Sequence, residues 1–125
     1  MAVDINYEVH GLTTDNEKRI CSGFSDVELS GTGISQAKEI GQHHQDEKFA
    51  TIFCSDLQRS YKTAEIAFGD RFPIITDVRL RECNYGDFTR HSAEEVEPEK
   101  FNRISTPLVH WSSTCRLLRS GQTNL

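Results

Sequence analysis

Apolar residues take every second position at the start of the chain. Val3, Ile5, Tyr7 and Val9 share one parity, and this two-residue period predicts a strand over 3–9. The pattern stops at His10-Gly11, where hydroxyl and amide side chains replace apolar ones. After a turn-rich connection at 22–26 the period changes. Ile34, Ala37, Ile40, Gly41 and His44 recur at three- and four-residue spacing, which predicts a helix to about Glu47 with Ser30 as its N-cap. The apolar, β-branched run 50–54 reads as a buried strand. Ser55 and Gln58 then form an S-x-x-Q capping pattern, and Leu57, Tyr61, Ala64, Ala67 and Phe68 lie on one side of the helix that follows. A third strand is predicted at 73–76, and a short acidic helix at 92–100, where Glu95 follows Ser92 by three positions. Strands alternating with helices are the pattern of a parallel sheet covered by helices.

Size and charge narrow this outline. The 125 residues suffice for one compact domain. A net charge of −5 and a pI of about 5.5 argue against a nucleic-acid binder, which needs a basic stripe. No apolar run approaches the ~20 residues of a membrane span. The first residues have neither the basic start nor the apolar run of a signal peptide, so a cytoplasmic chain with reduced thiols is expected. Cys21, Cys54, Cys83 and Cys115 show no C-x-x-C spacing, and neither a zinc knuckle nor a redox motif is read from them. His43 and His44 are adjacent and point about 100° apart on a helix, so they are read as solvated residues that do not share a metal.

The candidate chemistry lies where the periods break. His10 stands at a predicted strand end beside a glycine that admits close backbone approach. On that stretch alone, a hydrogen-bonded turn histidine and a ligand-facing one are equally compatible. Thr13, Thr14 and Asn16 offer donors suited to phosphate oxygens. Arg59 follows a predicted strand's C-terminal end, where open α/β sheets place ligand sites, although its position also suits an exposed helix cation. The loop 83–88 carries Gly86 and two aromatics.

Four ordered stretches share a resemblance. Val9-His10-Gly11-Leu12-Thr13-Thr14-Asp15-Asn16 is similar to R-H-G-x-T-x-x-N. Gly23, Asp26, Leu29, Ser30, Gly33, Gln36 and Ala37 match G-x-x-D-x-x-L-[ST]-x-x-G-x-x-Q-A. Cys54-Ser55-Asp56-Leu57-Gln58-Arg59-Ser60 with Thr63-Ala64 resembles S-S-D-L-x-R-A-x-x-T-A. Leu80-Arg81-Glu82 with Tyr85-Gly86-Asp87 resembles L-R-E-x-x-Y-G-x-[WF]. Together, over roughly residues 3–90, they resemble the histidine phosphatase (phosphoglycerate mutase-like) superfamily.

That resemblance implies a partial three-layer α/β/α domain with a mainly parallel sheet. It implies that His10 attacks a phosphomonoester to give a phosphohistidine, that Arg59 holds phosphate oxygens, and that Glu82 is the general acid. Asn16, Thr13, Gly11 and Gly23 complete the implied phosphate-binding set. The implied partner is a small phosphorylated substrate, with no metal or cofactor and with neither nucleic acid nor membrane.

Two departures qualify the expectation. Val9 stands where the family usually has Arg, and the family's G-E-S-like stretch and second histidine have no counterpart. His110, in Leu108-Val109-His110-Trp111, follows Glu82 by only 28 positions, too few for the intervening elements. All nineteen acidic residues lie at or before Glu99, and Lys100, Arg103, Arg116 and Arg119 follow it. A domain over 1–106 with an atypical tail over 107–125 is therefore expected, as in a chain cut short by a shifted reading frame. Such a half-domain would leave a strand edge uncovered and open to self-association.

Overall fold

The computed structural model describes residues 2–96, and these fall into two compact units. One unit holds residues 10–93; residues 2–9 and 94–96 belong to the other. The expected boundary at 106, the tail beyond it, His110 and Cys115 lie outside the described residues.

The unit over 10–93 runs in the order α1 (Thr14–Glu17), α2 (Gly31–His43), β1 (Ile52–Cys54), α3 (Gln58–Phe68) and β2 (Ile74–Thr76). Two 3-10 turns follow, Val78–Leu80 and Gly86–Phe88. β1 and β2 pair in parallel, with Ile52, Phe53 and Cys54 opposite Ile74, Ile75 and Thr76. The crossover between them is α3, which packs on both strands and on α2. This is a mixed α/β unit with a parallel sheet.

α2 forms where its periodicity predicts but ends at His43 rather than near Glu47. Ser30 caps it by accepting the Gly33 N–H at 3.1 Å, and Ala37 is fully buried on its inner face. Its far end is closed by Arg71, whose Nη2 donates to the carbonyls of His44 at 2.8 Å and of Gln45 and Glu47 at 3.1 Å each. α3 buries Ala64, Ala67 and Phe68 as expected, but its N-terminal cap differs. Its N-cap is Leu57, and the S-x-x-Q box at Ser55 and Gln58 is absent. Asp26 supplies the acceptor instead, taking the Gln58 N–H at 2.7 Å from 32 residues upstream.

Three further expectations are corrected. Residues 3–9 have no regular secondary structure, and Val3, Ile5, Tyr7 and Val9 are all exposed. Alternation meets a strand's side-chain requirement, but a strand also needs a neighbour to complete its ladder, and the described sheet is β1 and β2 alone. β1 is not buried on both faces: Cys54 is buried, whereas Phe53 is 64% exposed and its partner Ile75 48%. Successive strand residues alternate between faces, so a helix on one face leaves the other parity in solvent. His44 is buried rather than solvated. It ends α2, where the chain turns inward, and its ring meets Phe49 and Phe68 while Nδ1 bonds Glu47 Oε1 at 2.9 Å. His43 is exposed, as read.

The tightest crossing joins the residues after His10 to the start of α2. A β-carbon on Gly33 would sit 1.9 Å from the Leu12 carbonyl oxygen, and one on Gly11 would sit 2.3 Å from the Gly33 oxygen. Gly31, two residues earlier, has open space at its missing β-carbon. Gly33→Ala forces the backbones apart, and overpacking of this kind costs about 1–3 kcal/mol. We expect a fall in melting temperature of roughly 5–20 °C by circular dichroism. Gly31→Ala is expected to melt at the same temperature or slightly higher; equal melting of the two variants would remove the crossing as a constraint.

Candidate active site

The loop that carries His10 is fixed by its neighbours in turn. The Leu12 carbonyl accepts the Ser30 N–H at 2.9 Å and the Ser30 hydroxyl at 3.2 Å. The Leu12 N–H donates to Gln36 Oε1 at 2.9 Å. Thr13 and Leu29 form an antiparallel bridge. The same side chains that start α2 thus also hold the loop.

Thr13 caps α1 in a reciprocal box. Its hydroxyl accepts the Asn16 N–H, and its own N–H donates to Asn16 Oδ1, both at 3.0 Å. Thr13 is fully buried, so it shapes the loop from inside rather than presenting a hydroxyl at the surface; Asn16 is exposed. Thr14 is the first residue of α1 and is half-buried. The Gly11 N–H is likewise committed, donating to Thr63 Oγ1 at 3.0 Å. Gly11 therefore contributes close approach, not a donor. Asp15, buried behind the loop, accepts from Ser22 Oγ at 2.9 Å and from Arg90 Nη1 at 3.0 Å.

His10 is half-buried, and its Nδ1 lies 2.7 Å from the Gly11 carbonyl oxygen. A carbonyl only accepts, so Nδ1 carries a hydrogen in this contact, and in a neutral ring the nucleophilic nitrogen is then Nε2.

Arg59 sits one turn before Thr63 on α3, and the Thr63 hydroxyl donates to the Arg59 carbonyl at 2.7 Å. Thr63 therefore ties the His10 loop to the turn that carries Arg59. That arginine is not an exposed helix cation: it is 3% exposed. Its Nη1 donates to the Ser25 carbonyl at 2.9 Å and its Nη2 to the Gly23 carbonyl at 2.7 Å. Gly23 adopts φ +54°, a left-handed conformation that favours glycine, and so turns its carbonyl to the cation from a buried position.

Glu82 Oε2 stands 3.9 Å from Arg59 Nη2, beyond hydrogen-bonding range, while Glu82 Oε1 accepts the Tyr85 hydroxyl at 2.5 Å. Burial, and then the bond to Glu82, holds the Tyr85 phenol well above its usual range. Asp56 beside the site takes a two-pronged bond from Arg81, which holds the Asp56 carboxyl below its ordinary value. Burial pushes the Cys54 thiol up. Among the described residues, no three His, Cys, Asp or Glu side chains are grouped to hold a metal, and no described helix is long and apolar enough to cross a membrane.

The structure thus brings Arg59, Glu82 and Gly23 into direct or near contact, and links His10 to them through Gly11 and Thr63. Thr63, Asp26, Gln36 and Tyr85 act here without having been singled out as site residues. All four were visible as positions within the four motif stretches, so the signal was present but not assigned a task.

The unit is thus mixed α/β, with Arg59 buried beside Glu82 and the loop that carries His10 tied to the same helix. Residues 10–116 match the model of the histidine phosphatase superfamily (branch 1), and the chain belongs to that superfamily. It is 36% identical over 92 residues to "Probable phosphoglycerate mutase GpmB" of Yersinia enterocolitica, covering 73% of this chain and 43% of that protein. Among solved structures it resembles YhfR of Bacillus stearothermophilus with a TM-score of 0.66 and 34% identity, covering 71% of this chain and 45% of the other. It also resembles the phosphoserine phosphatase of Entamoeba histolytica in complex with 3-phosphoglyceric acid, with a TM-score of 0.64 and 30% identity, over 70% of this chain and 44% of the other. The chain spans less than half the length of these relatives.

Two measurements check this geometry. Thr63→Val keeps the side-chain shape but leaves the buried Gly11 N–H without its acceptor, a loss of about 1–3 kcal/mol. Urea unfolding should show that loss, with Thr63→Ser recovering most of it; equal stability of Val and Ser variants would contradict the assignment. Because the folded Tyr85 phenol is raised, its stabilisation is fully present below the ordinary value of 10.0 and is lost above it, where the unfolded chain ionises first. Stability should fall from about pH 9 to pH 11. Tyr85→Phe should flatten that fall, and an unchanged alkaline limb would count against it.

Proposed function

We infer that this chain is a phosphatase acting on small phosphomonoesters through a phosphohistidine at His10. Arg59 is the observation that carries the reading. An arginine buried to this degree is costly unless its charge is met. Here two carbonyls orient it, and the Glu82 carboxylate stands 3.9 Å off. A phosphate dianion supplies the charge such a group lacks, through paired N–H···O bonds.

The steps follow from the side chains. Nε2 of neutral His10 attacks phosphorus in line; the N–P bond forms as the P–O ester bond breaks. Glu82 is the general acid that delivers a proton to the leaving alkoxide, while Arg59 and the Asn16 amide bear the equatorial oxygens. Water then attacks the phosphohistidine, Glu82 takes its proton, and the N–P bond breaks to release inorganic phosphate and neutral His10. In this scheme Gly11, Thr13 and Gly23 hold the donors in place from behind. Small phosphorylated acids are a reasonable substrate class, since the phosphoserine phosphatase relative is solved with 3-phosphoglyceric acid. The cytoplasm is the compartment that such substrates and the chain's composition suit.

Val9 supports a second reading, a protein that binds phosphorylated ligands with little turnover. If the family's arginine there contacts phosphate, one charge-assisted bond of about 1.5–3 kcal/mol is lost.

Incubation with p-nitrophenyl phosphate separates the readings. The native sequence should turn over and form an acid-labile phosphohistidine, and His10→Ala should abolish both. Glu82→Gln should slow hydrolysis of alkyl esters by about 10²–10⁴. Equal turnover by His10→Ala would end the proposal; vanadate binding by calorimetry without any phosphoenzyme would select the binding-only reading.

A further inference from the structure

We propose that Tyr85 is a positioning residue, which holds the Glu82 carboxyl in register with the Arg59 guanidinium by bonding the one and resting on the backbone that clamps the other. This deepens the reading of Glu82 as the proton donor and rests on it.

Glu82 needs such a support. Its side chain is 38% exposed and has three rotatable bonds, so without a partner its carboxyl samples many directions. A general acid works only when its proton is aimed at the leaving oxygen. The Tyr85 hydroxyl ties Oε1 at 2.5 Å, and Oε2 is then the oxygen that faces Arg59 at 3.9 Å.

The phenol is itself held. A β-carbon on Gly23 would lie 2.9 Å from Tyr85 Cδ2 and 3.3 Å from the Tyr85 backbone nitrogen, so the ring and its main chain sit directly on Gly23. Gly23 is the residue whose carbonyl clamps Arg59 Nη2 at 2.7 Å. The acid and the phosphate clamp thus share one mount: Arg59 to Gly23, Gly23 to Tyr85, Tyr85 to Glu82. Burial keeps the phenol protonated, so it remains a donor throughout the range in which the enzyme would work. A Tyr85 that merely filled space would need the ring and not the hydroxyl.

Tyr85→Phe removes the hydroxyl and leaves the ring on Gly23. The full chain and this variant are compared on p-nitrophenyl phosphate, whose leaving group needs no proton, and on glycerol 2-phosphate, whose alkoxide does. The kcat ratio of alkyl to aryl ester should fall at least about tenfold in the variant, with KM changed less than about twofold. A ratio equal to that of the unsubstituted chain overturns the proposal. In a Glu82→Gln background the same substitution should leave the ratio where it is, since the two act as a unit; additive losses overturn it. A third readout does not depend on turnover. In an alkaline titration followed by tyrosinate absorbance, Glu82→Gln should bring one tyrosine's ionisation to lower pH. An identical titration overturns the positioning role, even in a chain that hydrolyses neither ester, a result that would by itself count only against the phosphatase reading.

Discussion

The crossing of Leu12 over Gly33 is the constraint on which the site depends. Two backbones approach so closely there that a methyl group on Gly33 would fall 1.9 Å from a carbonyl oxygen. That approach lets Ser30 and Gln36, both near the start of α2, bond Leu12 from two sides. With Leu12 fixed, the Gly11 N–H meets Thr63 on α3, and α3 carries Arg59. Any residue larger than glycine at 33 would loosen the loop, the link to α3 and the histidine's placement at once.

Electrostatics then decide how Arg59 is used. Burying a guanidinium costs several kcal/mol even after the protein relaxes. Hydrogen bonds to a charged group return about 1.5–3 kcal/mol each, and Arg59 donates two, to the Ser25 and Gly23 carbonyls. Its attraction to Glu82 is weaker than the distance alone suggests, because the carboxylate is partly in water and screened. The balance is close to even, and the two carbonyls fix the direction of the guanidinium. Gly23 turns through a left-handed conformation, and its carbonyl accepts from the guanidinium there.

What could be read from the sequence was whatever is local. The 3.6-residue period gave α2 and α3 their inner faces, and Ser30 announced its cap three residues ahead of Gly33. The β1 and β2 segments were visible as short β-branched runs between turn residues. Non-local partners were not visible. Asp26 caps α3 from 32 residues away, a distance at which no capping pattern operates. The box at Ser55 looked correct by spacing, yet the helix begins two residues too late for it to form. Alternation over 3–9 specified which side chains would share a parity, yet no strand is found there among the described residues. His44 was read from its position on a helix, whereas its burial comes from Phe49 and Phe68, which the helix meets only after it ends.

Most of the residues that made the family recognisable build the frame rather than touch a reacting atom. Thr13, Ser30, Gly33, Gln36, Ala37 and Asp26 cap helices, seat backbones or fill the core. This separation matters for Val9. The Gly11 and Leu12 N–H groups are held by Thr63 and Gln36, bonds in which the side chain at position 9 takes no part. Motif resemblance therefore reports the frame first, and the three groups proposed for the chemistry, His10, Arg59 and Glu82, are carried on it.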